Sequence, residues 1–410
     1  MSFGRYRNAK LLLFSFLFIL IFCSYMYKRH GSPTKAGYNV LVWWSPYEKE
    51  MDYHRKCDQI ECRFTSDRKA KTDPFFTGYL FYGTKILIND MPSNRRIGEY
   101  WGLYHDGSPK SVPFLLHGLD LFNFSSTFSR HSTVPLTFQP FTTLEKLISN
   151  KNMYTFGQKT AFQRKMKLAP ILYIQSNCDT LTGRELYVKE LGKHIAIDSY
   201  GHCLRNKTFP AGITNDSRNK TVIRDFYDFV SKYKFIIVYQ DMICEDYIAD
   251  KFWKSLTLGI VPIYFGATNI RSYLPNPDSA ILIDDYSSPR NLAQFILQAS
   301  NNEDVYVGFL YHKVSNFYPI SNQLLVNAIF KEDIYYIEDR KRRTIAKFEC
   351  NVCEQSFQQQ KQQAQQKELS CMLPYFPPGN VTHKAVSRIH KFIERSRMEA
   401  EVVHKMTNGW

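Results

Sequence analysis

Residues 233–266, YKFIIVYQDMICEDYIADKFWKSLTLGIVPIYFG, gather side chains that could bind an anion and handle hydroxyl groups: Gln240, Asp241, Glu245, Asp246, Tyr247 and Lys251. A carboxamide and carboxylates can hydrogen-bond sugar hydroxyls, a phenol can donate to an oxyanion, and an ammonium can neutralise phosphate charge. Tyr247 and Lys251 are four residues apart. On a helix they share a face and point back over its N-terminus, where phosphate binds well. That chemistry suits a nucleotide diphosphate. The same spacing also suits an ordinary crossover with a solvated acidic turn and a surface lysine, so the rest of the chain has to decide between the two.

The elements that position these residues follow from the pattern. Residues 235–239 are apolar and β-branched, which predicts a buried parallel strand. A polar turn and a helix over 246–258 follow, stopped by Gly259, and 261–265 form a second strand. Such β-loop-α-β crossovers bind ligands at the carboxyl ends of their strands, where the polar residues fall. Around this unit two domains are expected, 38–166 and 167–353. NVLVWW, FTGYLFYG, KILIND and EYWGLY read as strands of the first, with few strong helices between them. A linker near 158–169 leads to PILYIQSN, RELYVKELGKHI, IAIDSYG, IRDFYDFVSKY and ILIDDYSSPRNLAQFILQAS, a strand and helix alternation for the second. The fold class is thus α/β, with two Rossmann-like domains facing across a cleft. Residues 354–410 change character, with a glutamine-rich run, a proline-rich turn and a charged helical pattern over 384–405. They read as a linker and a mobile or partner-binding tail.

The chain of 410 residues carries a formal net charge of +15, spread over both ends, the 205–224 loop and the 340–347 run. That balance fits an anionic ligand or a membrane surface, and no nucleic-acid-binding module accompanies it, so no nucleic-acid partner is expected. Arg5, Arg7 and Lys10 precede an uncharged apolar segment at 11–27, and 28–37 make a short stem. This predicts a single-pass signal-anchor, with residues 1–10 cytoplasmic and the body in the lumen of the Golgi or endoplasmic reticulum. Sequons at Asn123, Asn206, Asn215, Asn219 and Asn380 all follow the span, as a lumenal body requires. Of nine cysteines, Cys23 lies in the apolar segment, and the even remainder suggests disulfides. Cys350 and Cys353 form a C-x-x-C, which would also suit a redox pair or half of a zinc site, although neither a thioredoxin-like pattern nor a second metal pair accompanies it.

The run YKFxxxxxxxxCxDYxxxKxW, followed by LGxVPxYxG and SxxILIDDYxSPxxLAxFI, resembles the donor-binding half of the α1,3-fucosyltransferases. YIQSNCDTLTGRELYVKELGKHIAIDSYGHCL and LFNFSSTFSRHS resemble a divergent branch of that family, proposed to add O-fucose to protein domains. The likeness spans about residues 40–353. It implies a GT-B architecture, GDP-fucose as donor, no prosthetic cofactor, and inverting transfer to a hydroxyl of glycoprotein N-acetylglucosamine or of Ser or Thr on a folded domain. It puts the family's phosphate-binding cations on Arg184 and Lys251 and nucleotide or fucose contacts on Tyr247 and Asp250, with Gln240 and Asp241 in the donor loop. It also implies that Cys57 and Cys62 pair with Cys350 and Cys353, and that Cys178 meets Cys203. A nucleotide-sugar enzyme that holds its diphosphate through a metal commonly carries a D-x-D triplet, and none occurs here. Metal-independent binding through cations and a helix dipole is expected.

Two positions depart from the family pattern. Where the family carries a glutamate directly before Ser-Pro, this chain reads His105-Asp106-Gly107-Ser108-Pro109. Asp106 is then the candidate base, provided a turn directs its carboxylate into the cleft, and His105 is the alternative. In the donor loop the family's Glu-Asn becomes Gln240-Asp241. Gln240 can hydrogen-bond a hydroxyl but cannot balance an oxocarbenium-like charge. These departures also suit a relative with little or no catalysis that binds nucleotide sugar or glycoprotein clients.

Overall fold

The computed structural model describes residues 37–137, 143–151, 153–178, 180–214, 219–331, 340–358, 369–373, 375–378 and 383–408. The expected anchor at 11–27 and most of the glutamine-rich run lie outside them. No described helix is long and apolar enough to cross a membrane.

The first sheet has six strands: β1 (Gly37–Ser45), β2 (Asp52–Cys57), β3 (Ile60–Thr65), β4 (Phe76–Tyr82), β5 (Tyr100–Tyr104) and β6 (Phe124–Ser126). Their order is β2-β3-β1-β4-β5-β6, parallel except for β2 against β3. KILIND is not a strand. It forms short 3₁₀ turns, Gly83–Lys85 and Ile88–Asp90, because it has to carry the chain from the end of β4 back toward the start of β5. Both faces of the sheet are apolar, Tyr79 and Phe81 of β4 alternating with Leu80 and Tyr82. The described crossovers between β4, β5 and β6 are 3₁₀ turns, too small to cover those faces.

Helices from the end of the chain cover them instead. The principal helices are α1 (Phe156–Met166), α2 (Arg184–Leu191), α3 (Lys220–Ser231), α4 (Asp250–Thr257), α5 (Pro289–Asn301), α6 (Arg340–Phe357) and α7 (His383–Asn408). Ile345, Phe348 and Val352 of α6 pack on the Leu80 face, and Ile389 and Val403 of α7 pack on the Phe81 face. Two expected assignments are corrected here. Residues 340–353 belong to the first sheet rather than the second domain, and 384–405 is a packed helix rather than a mobile tail. The reason for the second is a buried stripe, Ala385, Ile389, Ser396, Ala400 and Val403, at helical spacing among charges.

Cys57–Cys350 and Cys62–Cys353 fasten α6 to the β2–β3 hairpin. Each cysteine of the C-x-x-C is therefore bonded elsewhere, which removes the redox-pair and zinc readings. The close grouping of Cys57, Cys350 and Glu354 contains a disulfide rather than free ligand sulfurs.

The second sheet is parallel, β11-β10-β9-β7-β8, from β7 (Ile171–Tyr173), β8 (Ile197–Ser199), β9 (Phe235–Tyr239), β10 (Val261–Phe265) and β11 (Ile281–Leu282). β9 and β10 are buried along their whole length, as continuous apolar strands between helix layers must be. α1, expected as a linker, belongs to this domain. A capping box of Thr155 and Gln158 starts it, and buried Lys159 donates to the carbonyls of Tyr233 at 2.8 Å and Gly259 at 2.7 Å. The domain boundary therefore precedes residue 156.

From β7 the chain moves outward to β8 and then returns to β9 on the other side of β7. That reversal opens a crevice at the carboxyl ends of β7 and β9.

Candidate active site

The loop after β9 is held from several directions. Gln240 donates its backbone N–H to Phe265 O, and Thr182 Oγ1 donates to Gln240 O at 3.0 Å. Cys244 is bonded to Cys371, and around that bridge Glu245 N donates to Ser370 O and Met372 N to Ile243 O. The sequence pattern did not indicate this pairing. Asp246 follows with φ 66°, a left-handed conformation uncommon outside glycine. Its carboxylate, 1% exposed, accepts from Arg130 N at 2.8 Å, Arg130 Nε at 2.7 Å, Asn269 Nδ2 at 2.8 Å and Tyr273 OH at 2.5 Å. Burial opposes its charge, but these donors outweigh burial and hold the carboxyl below its ordinary value.

Because Asp246 is committed to that network, the helix begins at Asp250 rather than 246. Tyr247 precedes the helix and does not share a face with Lys251. Tyr247 opens instead onto a cavity of about 200 Å³ with Asp106, Gly107, Ser108, Phe128 and Asp250. Lys251 opens onto a second, of about 420 Å³, with Gln175, Asn177, Tyr227, Lys254 and again Asp250. Asp250 lines both, its carboxylate 2.5 Å from Lys254 Nζ.

Lys251 Nζ donates to Ile174 O at 2.7 Å, and Gln175 Oε1 lies 3.5 Å away. Burial and then the nearby Arg184 charge push its ammonium down to about 8. Arg184, at the first turn of α2, is buried, with Nη1 donating to Tyr239 O at 2.9 Å and Nη2 to Asn177 O at 3.0 Å. It braces the ends of β7 and β9 from inside the crevice. Gln240 is buried too, with no hydrogen-bond partner for Nε2 among the described residues.

On the first-domain side, Asp106 reaches the smaller cavity. Tyr82 OH donates to its Oδ1 at 2.7 Å, and Lys341 Nζ lies 3.0 Å from Oδ2. His105 does not reach the cavity, which corrects its proposal as an alternative base. It is 1% exposed, its Nε2 lies 3.3 Å from Ser108 O, and burial pushes it down to about 4. Gly83 lies against it, so that a Cβ there would sit 2.4 Å from His105 Nδ1. Ser108 Oγ crosses the cleft to donate to Asp241 Oδ2 at 2.9 Å, and Tyr247 OH is 3.3 Å from Asp241 Oδ1. Asp241 therefore ties the two domains together.

Arg130, Lys341 and Tyr82 were not singled out from sequence. Arg130 meets Asp246 across 116 residues of chain, and no local spacing signals such a contact. Replacing Asp246 with Ala leaves Arg130 and Tyr273 without their acceptor. It is expected to cost about 3–5 kcal/mol, read as a lowered thermal midpoint, whereas Arg224→Ala on the exposed face of α3 leaves the midpoint in place.

Cys178 is bonded to Cys203. Of the sequons, Asn219 is exposed and caps α3 by accepting from Thr221 N at 2.9 Å. Asn206 lies along the β8 edge, its Nδ2 donating to Ile197 O and its Oδ1 accepting from Ser199 N, both at 2.7 Å. Asn123 is half-buried, its Oδ1 accepting from Trp101 N at 2.9 Å and from the Arg95 guanidinium. Asn215 and Asn380 lie outside the described residues.

Residues 162–371 match the family model described as glycosyltransferase family 10 (fucosyltransferase) C-term. The chain is 34% identical over 390 residues to GDP-fucose protein O-fucosyltransferase 3 of Xenopus tropicalis, covering 91% of this chain and 82% of that one. It is 38% identical over 318 residues to alpha-(1,3)-fucosyltransferase B of Drosophila melanogaster, 76% of this chain and 71% of that one. Among solved structures, an alpha1,3-fucosyltransferase with GDP-fucose aligns with TM-score 0.41 and 14% identity, over 75% of this chain and 94% of that one.

Proposed function

The chain belongs to glycosyltransferase family 10, the fucosyltransferases, and on that premise we propose that it transfers fucose from GDP-fucose, with inversion, to a Ser or Thr hydroxyl of a protein acceptor. The observation that carries the donor assignment is Lys251, a half-buried lysine at the crevice between β7 and β9, beside a cavity of about 420 Å³. An ammonium there can take the diphosphate charge as it builds on the leaving group. Arg184 braces the same crevice, and Asp250 and Tyr247 offer hydrogen bonds to ribose or fucose hydroxyls. Asp106 is the base that takes the acceptor proton, its carboxylate lying on the smaller cavity that adjoins the first through Asp250. The protein acceptor is preferred over a glycan because the Xenopus relative is named as a protein O-fucosyltransferase.

Binding without a metal is part of the same proposal, supported by the absence of a D-x-D triplet from the sequence. So is a lumenal location on a single-pass anchor, supported by four disulfides, which persist in oxidising compartments.

The test is release of GDP from GDP-fucose by the full chain in detergent, with and without pooled secreted glycoproteins, in buffer and in excess chelator. Acceptor-stimulated release that survives chelation is expected. Binding of GDP-fucose with no acceptor effect above that of Lys251→Ala would instead identify a donor-binding relative that has lost its chemistry.

A further inference from the structure

Gly107, beside Asp106, has no side chain to present to the cleft, and other groups aim the Asp106 carboxylate. Tyr82, the last residue of β4, donates to Asp106 Oδ1 at 2.7 Å. Lys341, in the first turn of α6, lies 3.0 Å from Oδ2 and donates to the Tyr82 hydroxyl at 2.7 Å. The three side chains close a triangle drawn from three separate elements. α6 can deliver Lys341 there because its far end is fastened by Cys57–Cys350 and Cys62–Cys353. It also lies close on the sheet: a Cβ at Gly102 of β5 would be 2.9 Å from Phe348 Cζ and 3.1 Å from Val352 Cγ2. The glycine makes room for the helix that carries the lysine.

We propose that Lys341 is a positioning residue for fucosyl transfer, holding the Asp106 carboxylate oriented to receive the acceptor proton. This rests on Asp106 being the base. In that step the acceptor O–H bond breaks and its proton passes to Asp106. The oxygen's electron pair forms the bond to the anomeric carbon of fucose, and the pair of the carbon–phosphate oxygen bond leaves with GDP.

Lys341 Nζ at 3.0 Å from Oδ2 and Tyr82 OH at 2.7 Å from Oδ1 each hold one oxygen, and together they fix the plane of the carboxylate. Among the described residues, Lys341 is the cation that meets Asp106. Tyr82 is neutral in the working range, since burial raises its phenol, and His105 is held neutral by burial. Asp246, Tyr247 and Asp250 face it across the cavity. Of these, Asp246 is engaged by Arg130 and Asp250 by Lys254.

The experiment compares Lys341→Met, Lys341→Gln and Lys341→Arg with Asp106→Asn in the full chain. Acceptor-dependent GDP release is followed, and GDP binding and the thermal midpoint are measured in parallel. Lys341 is half-exposed, so neutral replacements are compatible with folding, and the two of them guard against a variant-specific defect. Lys341→Met and Lys341→Gln should lower kcat by roughly 10- to 100-fold with little change in the KM for GDP-fucose. GDP affinity should stay within about twofold, and Lys341→Arg should restore most of the rate. A purely structural lysine would instead lower GDP affinity and the thermal midpoint together with kcat. Neutral variants with unchanged kcat, or with kcat, GDP affinity and thermal midpoint lowered together, beside an inactive Asp106→Asn, would overturn this inference alone. An active Asp106→Asn would overturn the base assignment and this inference with it.

Discussion

Asp106→Asn is expected to lower kcat by about 10²- to 10⁴-fold while binding GDP as tightly as the unaltered protein. The carboxamide is nearly isosteric and can still accept from Tyr82 OH, so the turn 105–109 keeps its place. What it loses is the ability to receive a proton. The prediction separates base catalysis from donor binding because Asp106 lies on the smaller cavity and Lys251 on the larger. The neighbouring glycine cannot take over the role. A Cβ at Gly107 would meet Thr84 Cγ2 at 2.9 Å and His105 Cε1 at 3.3 Å, so a side chain there would need the surrounding loops to shift. His105 is no substitute, being buried beneath the turn. Steady-state kinetics with pooled secreted glycoproteins as acceptor, together with GDP titration calorimetry, check both halves of the prediction. An Asp106→Asn variant with unaltered kcat would move the base to another residue, Asp241 being the carboxylate that the loop after β9 presents to Ser108 of that turn.

What the sequence made legible was local, and what it hid was tertiary. β9 and β10 could be read because a strand buried on both faces leaves a continuous apolar run, and Gly259 marks the turn between α4 and β10. The start of α4 could not be read. The sequence around Asp246 is compatible with helix, and the residue leaves the helical region because groups on two other segments, Arg130 and the pair Asn269 and Tyr273, converge on its carboxylate. α7 was hidden by its own composition: charges dominate a stripe whose buried members, Ile389 and Val403 among them, have meaning only beside the Phe81 face of the first sheet. The few helices predicted for the first domain were a true signal whose explanation lay at the far end of the chain, in α6 and α7. Lys341 belongs to the same class, since a lysine in a basic run reads as solvated surface until the helix is docked beside Asp106.

Lys251→Met is expected to weaken GDP binding by roughly 10- to 100-fold at neutral pH, the worth of a hydrogen bond to a charged group. The unaltered protein carries a pH signature that the variant should lack. Burial, and then Arg184, pushes the Lys251 ammonium down to about 8 in the free protein, and a diphosphate beside it favours the charged form. Below pH about 8 the lysine is already charged and affinity is flat. Above it, binding has to take up a proton, so affinity falls by up to about tenfold per pH unit until the bound-state value is reached. Titration calorimetry near pH 8.5 in two buffers of different ionisation enthalpy should detect that uptake in the unaltered protein and none in Lys251→Met. Lys251→Arg should bind without the pH dependence, because guanidinium stays charged throughout.

The sign for folding runs the other way. Between about 8 and the ordinary lysine value of 10.5 the unfolded chain binds more protons at this position than the folded one, so stability contributed here rises with pH across that window. Below it the desolvation of the ammonium works against the fold. Lys251→Met should therefore be at least as resistant to thermal unfolding at neutral pH as the unaltered protein, even as it loses GDP. A flat GDP affinity from about pH 7 to 9.5, or a variant that loses affinity and thermal stability together, would remove Lys251 from the phosphate site and make it a brace for the loop after β7, through its bond to Ile174 O.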